Sequence, residues 1–136
     1  MSRSPVPEWV IDALLEQLPD LVAVYQFGTW DTPYQRPDSD LDLAVLPVAP
    51  LPAIQRWDLA QELAGNLGRD VDLIDLLTTS TVMRAQVIAY GQRLYCVDTT
   101  ACQTFEIYAF SSYARLNEER RGILQEIQLR GSVYGR

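Results

Sequence analysis

Two short apolar runs, "LVAVYQF" at 21–27 and "DLDLAVL" at 40–46, most constrain what this chain can fold into. Each has strand length and is rich in Val, Leu or aromatics, and turn-forming residues stand on either side of them. The first run is apolar apart from Gln26 and reads as a strand buried on both faces. The second alternates, with Asp40, Asp42 and Ala44 on one face and Leu41, Leu43 and Val45 on the other. Between them Gly28 ends the first strand, and Pro33, Pro37, Asp38 and Ser39 mark an irregular stretch.

The rest of the chain extends the pattern. Helix signals follow Pro7, with Ile11, Leu14, Leu15 and Leu18 on one face, and Pro19-Asp20 closes that helix. After the turn at 47–52, a second helix places Ile54, Trp57, Ala60, Leu63, Ala64 and Leu67 on its core side and stops at Gly68. "DVDLIDL" (70–76) is a third strand. "TTSTVMRAQVIAYG" (78–91) supplies Ser/Thr caps, a helix and a terminating glycine. "QRLYCV" (92–97) reads as a short strand. Helical spacing then runs from about Thr99 to Arg130, as one helix or two, with 131–136 as a frayed tail. The expected order is α-β-β-α-β-α-(β)-α: one α/β domain over 1–136 with a small mixed sheet, a core of about 20–95 and a C-terminal helical segment of about 99–130. A chain of 136 residues suits one domain with a real core.

Composition narrows the chemistry by what it lacks. There is no histidine, and all 11 cationic side chains are arginine. Ser-His-Asp, Cys-His and His-zinc sites, a lysine Schiff base and a P-loop lysine are all removed. Acid–base or metal chemistry must rest mainly on Asp and Glu. The net charge of −7 argues against unspecific binding to nucleic acid or anionic membranes. Charge is uneven: the segment from Arg115 onward carries +2, so the preceding residues, which hold the aspartates, carry −9. The two cysteines, Cys96 and Cys102, are too few for a disulfide framework and read as small core or near-surface residues. No apolar stretch has the length of a membrane span, and the N-terminus lacks a signal-peptide core, so a cytoplasmic location is expected.

Asp40 and Asp42 share a strand face, with side chains roughly 6–7 Å apart. Two carboxylates so close repel unless a cation lies between them, and magnesium suits that role. Asp-x-Asp alone is as consistent with a solvated strand start. Gly28-Thr29 adds a glycine that allows close approach to the backbone, and a hydroxyl with free N–H groups that would suit an anion. Asp72 and Asp75 add acid to an otherwise apolar strand. By alternation they face opposite sides, so one can join Asp40 and Asp42 while the other serves a turn or helix cap.

Gly28-Thr29, ten residues, then Asp40-Leu41-Asp42 resembles the Gly-Ser/Thr-x10-Asp-x-Asp signature of the minimal nucleotidyltransferases, within the DNA polymerase β superfamily. "VDLIDL" (71–76) is similar to the segment bearing that family's third carboxylate, which by position is Asp72. In size, and in "TTSTVMR", the chain is most similar to the antitoxins of HEPN–MNT toxin–antitoxin pairs. The resemblance implies that Asp40, Asp42 and Asp72 hold two magnesium ions against the triphosphate of ATP, while Gly28 and Thr29 bind its β- and γ-phosphates. It further implies AMP transfer to a tyrosine of a cognate HEPN ribonuclease, which neutralises that toxin. Neutralisation by binding alone and small-molecule nucleotidyl transfer are the alternatives. The stretch "WDTPYQRP" departs from the family pattern, with Pro33 where many members have Gly. Arg36 reads equally as a phosphate contact or a solvated loop residue. Trp30 and Tyr34 read as stacking partners for adenine or as plain loop anchors. Tyr108, Phe110 and Tyr113, with Arg115, Arg120 and Arg121 beyond, form either a packed helix with a charged outer face or a docking surface for the toxin.

Overall fold

A computed structural model describes residues 6–28 and 40–134, with side chains through Leu129. Thr29, Trp30, Tyr34 and Arg36 therefore lie outside the described residues. The order of elements is α1 (Glu8–Gln17), β1 (Ala23–Phe27), β2 (Leu41–Leu46), α2 (Ala53–Leu67), β3 (Val71–Asp75), α3 (Thr81–Tyr90), β4 (Gln92–Cys96) and α4 (Thr99–Tyr134). The four strands form one mixed sheet in the order β3-β2-β1-β4. β1 runs antiparallel to both β2 and β4, and β2 pairs with β3 in parallel. A parallel pair needs a crossover connection, and α2 provides it.

Strand alternation sorts the core into two layers. Leu41, Leu43 and Val45 of β2 join Val24, Val71 and Leu73 beneath α1 and α2, against Val10, Leu14, Leu59 and Leu63. Ala44 and Leu46 face the other way and join Ala23, Tyr25, Leu76, Val87 and Cys102 beneath α3 and α4. Asp42 shares the parity of Ala44 and Leu46, so it sits at the open end of the second layer.

The element ends follow local chemistry. Gly68 caps α2 in the left-handed region at φ 79°, its N–H bonding to Ala64 O at 2.9 Å. Ser80 caps α3, its Oγ accepting from Met83 N at 3.0 Å. The turn between β3 and α3 is held by the buried Arg84. Its Nε donates to Leu76 O at 2.8 Å and its Nη2 to Thr79 O at 3.2 Å. Tyr25 donates from its hydroxyl to Glu106 Oε2 at 2.7 Å, and Arg93 meets the same oxygen at 3.0 Å, tying α4 to the sheet. Burial first, then the bond to Glu106, hold the Tyr25 phenol above its usual range.

Three expectations are corrected. Ile54 and Trp57 are not in the core but 76% and 62% exposed; Leu59, Ala60 and Leu63 carry the buried face of α2. α2 packs on β3, the edge of the sheet, so the sheet does not lie beneath the whole apolar face of the helix. Cys96 and Cys102 are joined in a disulfide that links the end of β4 to the first turn of α4. Two cysteines are too few for a framework of several bridges, yet six residues of separation suffice for a single local one. Finally, α4 is one helix that continues to Tyr134, past the expected frayed tail at 131. Ile123 and Ile127 keep helical spacing but are exposed, because the second half of α4 runs beyond the sheet.

Candidate active site

The strand register assembles the candidate site. Phe27 of β1 pairs with Asp42 of β2, and Asp42 pairs with Asp72 of β3. Three neighbouring strands therefore set Phe27, Asp42 and Asp72 in one row across the sheet. Gly28 follows immediately at the β1 end of that row, with φ at 81°. A Cβ there would collide with Asp42 Oδ2 and lie 3.1 Å from Asp42 Cγ. Glycine is thus needed twice at this position, for the left-handed backbone and for the space the carboxylate occupies.

Asp40 stands exposed just before β2, Asp42 is half-buried, and Asp72 is exposed on β3. The Asp42 carboxyl is pushed up from 3.8 to about 6, first by burial and then by the charges of Asp72 and Asp40. Such a shift marks a carboxylate that has like-charged neighbours and little water to offset them. The structure therefore brings Asp40, Asp42 and Asp72 within electrostatic reach of one another, with the Gly28 backbone against Asp42.

Asp75, the other acid of β3, is placed elsewhere. It is 2% exposed and faces away from Asp72. Its Oδ1 accepts from Leu77 N and its Oδ2 from Leu51 N, both at 2.8 Å. It thereby ties the approach to α2 to the end of β3, the turn role that alternation had left for one of the two acids. Of the pair in "VDLID", only Asp72 belongs to the row.

Magnesium is usually held by one or two carboxylates, with waters and substrate phosphates in its other positions, rather than by an all-protein cage. Among the described residues no three His, Cys, Asp or Glu side chains are gathered closely enough to hold a metal ion by themselves. A half-buried Asp42 with its proton affinity raised by two further aspartates is nonetheless a donor set that a hard cation would relieve.

The residues match known proteins along most of their length. Residues 10–100 match the family model described as polymerase beta, nucleotidyltransferase. The chain belongs to the polymerase beta nucleotidyltransferase family. The protein adenylyltransferase MntA of Shewanella oneidensis is 37% identical over 118 residues, covering 87% of this chain and 84% of that one. A crystal structure of a toxin–antitoxin with AMP-PNP superposes with a TM-score of 0.79 at 37% identity, covering 88% of this chain and 95% of that one. A second structure, the tri-AMPylated Shewanella oneidensis HEPN toxin in complex with its MNT antitoxin, superposes with a TM-score of 0.74 at 37% identity, covering 88% of this chain and 93% of that one.

This nucleotidyltransferase has neighbours around its site that the sequence reading did not single out. Phe27 lies beside Asp42 across the strand pair, and its adjacency to Gly28 was the available signal. Arg56 donates from Nη1 to Leu73 O at 3.0 Å, which brings α2 against the strand bearing Asp72. Trp57 and Ile54, read as core residues, instead border Asp72. No described helix is long and apolar enough to cross a membrane.

Proposed function

We propose that this protein is an antitoxin that transfers AMP from ATP to a tyrosine hydroxyl of a cognate HEPN toxin and neutralises it. The observation that carries the reading is the row Gly28–Asp42–Asp72, in a family member 37% identical to a protein adenylyltransferase. Asp40, Asp42 and Asp72 would hold magnesium, as two ions. Gly28, with no Cβ, lets the β- and γ-phosphates approach the backbone, and the Thr29 hydroxyl joins it. Arg36, in the stretch between Gly28 and Asp40 in sequence, is the cation assigned to those phosphates. Bound magnesium supplies charge neutralisation as pyrophosphate departs. The acceptor oxygen forms its bond to the α-phosphorus, the bond from that phosphorus to the β-phosphate's bridging oxygen breaks, and the hydroxyl proton passes to the Asp72 carboxylate. Asp42, squeezed by its neighbours, provides the strongest local demand for cation. The absence of a histidine fits a mechanism in which carboxylates carry both roles.

The test is incubation of the full chain with labelled ATP, magnesium and the HEPN protein encoded with it. Labelled partner, with its intact mass raised by whole AMP units, is the expected result. An Asp40→Asn/Asp42→Asn protein that still transfers AMP overturns the assignment. Neutralisation that survives the double substitution, with no AMP transferred by either protein, shows an antitoxin that acts by binding alone.

A further inference from the structure

α4 lies on the face of the sheet that carries the carboxylate row. Asp42 pairs with Phe27, and Ala23 and Tyr25 alternate onto that same face of β1. Two contacts fix the helix along the strand. Cys102 Sγ lies 3.7 Å from Val22 O, just before the strand begins, and Glu106 Oε2 accepts from the Tyr25 hydroxyl at 2.7 Å further on. The helix therefore climbs in the direction of β1, toward Phe27 and Gly28. From Tyr25 to Phe27 is roughly 7 Å of strand, which about five helical residues span. α4 draws level with the row soon after Phe110, and its later turns, to Tyr134, pass beyond it.

One side of the helix faces inward along its length. Cys102 and Ala109 are buried, and Phe105 and Glu106 between them are partly so. Spacings of three and four residues carry that line through the partly buried Tyr113 and Leu116 to Arg120, Ile123, Leu124 and Ile127. Over the sheet the line is packed. Past the row it is bare, with Ile123, Leu124 and Ile127 at 57%, 62% and 57% exposed. An aliphatic stripe therefore overhangs the space in front of the row, on the side of α4 that elsewhere covers the sheet.

We propose that this stripe seats the acceptor protein, by the aliphatic face of one of its helices with a carboxylate set against Arg120. The proposal rests on the adenylyl-transfer reading above and names the surface that holds the acceptor before the row. Charge and position select this occupant. Arg120 stands within the stripe, and the segment from Arg115 onward carries +2 in a chain of net charge −7. An acidic and aliphatic helix face complements that segment, and ridges of helical side chains interlock with those of a second helix. A second copy of this chain would bring a like-charged segment instead. Seated there, it would also stand in front of the row and bar any acceptor. Ile107, 67% exposed on the outer side of α4, provides the contrast.

Calorimetric titration of the full chain with the cognate HEPN protein, beside steady-state kinetics with ATP and magnesium, tests it. Ile123→Ser/Ile127→Ser is expected to weaken Kd and raise KM for the HEPN protein by about tenfold or more, and to leave KM for ATP within about twofold. Both side chains are exposed, so the Tm of the isolated chain should not move. Arg120→Glu is expected to weaken Kd similarly, and Arg120→Lys to retain most of it. Ile107→Ser should leave Kd unaltered. An unchanged Kd in either the double variant or Arg120→Glu overturns the proposal, as does a loss that follows Ile107→Ser instead. A wild-type chain that dimerises alone, and whose dimer is lost with Ile123→Ser/Ile127→Ser, overturns it in favour of self-association. If the wild-type chain binds the HEPN protein but transfers no AMP, the parent reading fails separately, and the Kd values still decide the stripe.

Discussion

At the scale of single residues, the site is built from conflicts that the fold tolerates. Asp42 keeps a carboxylate where burial and two like charges oppose it, with a folded value near 6 against 3.8 in the unfolded chain. The folded, metal-free protein therefore binds more protons than the unfolded chain between about pH 4 and 6. Its stability should fall as pH rises through that window and level off above it. Asp42→Asn should flatten the fall and stabilise the metal-free protein at neutral pH by on the order of 1 kcal/mol, allowing for solvent screening. Magnesium should raise the Tm of the wild type, measured by calorimetry, and leave that of the variant nearly unmoved. Gly28 offers a second contrast. Gly28→Ala meets both a positive φ and the Asp42 carboxylate, and should cost about 1–3 kcal/mol in urea unfolding as well as AMP transfer. Gly65→Ala, inside α2 with open space around it, should stabilise the fold by roughly 0.5–1 kcal/mol and leave transfer alone.

At the scale of elements, "VDLID" shows how one strand sends two acids to opposite faces, one exposed in register with Asp42 and one buried in a turn. Asp72 is exposed and belongs to the row, while Asp75 is buried and accepts two backbone N–H groups. Asp72→Ala should abolish AMP transfer with a change in unfolding free energy within about 0.5 kcal/mol. Asp75→Ala should strand two half-buried donors, cost about 2–4 kcal/mol and lower Tm accordingly, with loss of activity following only from loss of fold. Their opposite facing was legible in the sequence because strand periodicity is two. Alternation alone left open which of them faces Asp42, although the family resemblance pointed to Asp72; the answer depends on the parallel register Asp42↔Asp72, set by pairing between distant segments. The same limit applies to α2. Its apolar spacing was readable, but where the sheet ends beneath it was not.

At the scale of the whole molecule, α4 divides into a packed half and an exposed half. Cys102 and Ala109 are buried, whereas every described side chain from Glu118 to Leu129 is exposed, including Ile123, Leu124 and Ile127. A helical stretch whose side chains are exposed draws little stability from its own propensity. In the isolated chain, amides of residues 118–129 should exchange hydrogen much faster than those of 102–113, as peptide-level mass spectrometry would reveal. The sequence by itself determined the α/β class, the four strands, the spacing of Gly28 to Asp40 and Asp42, and the dependence on carboxylates in a chain without histidine. Those properties live in local periodicity, turn chemistry and residue inventory. Only the tertiary structure decided the register that sets Asp72 opposite Asp42, that Trp57 stands out of the core, and that Cys96 and Cys102 are joined. Each of these depends on which distant segments become neighbours, and strand register and sheet edges settle that after the local pattern is already complete.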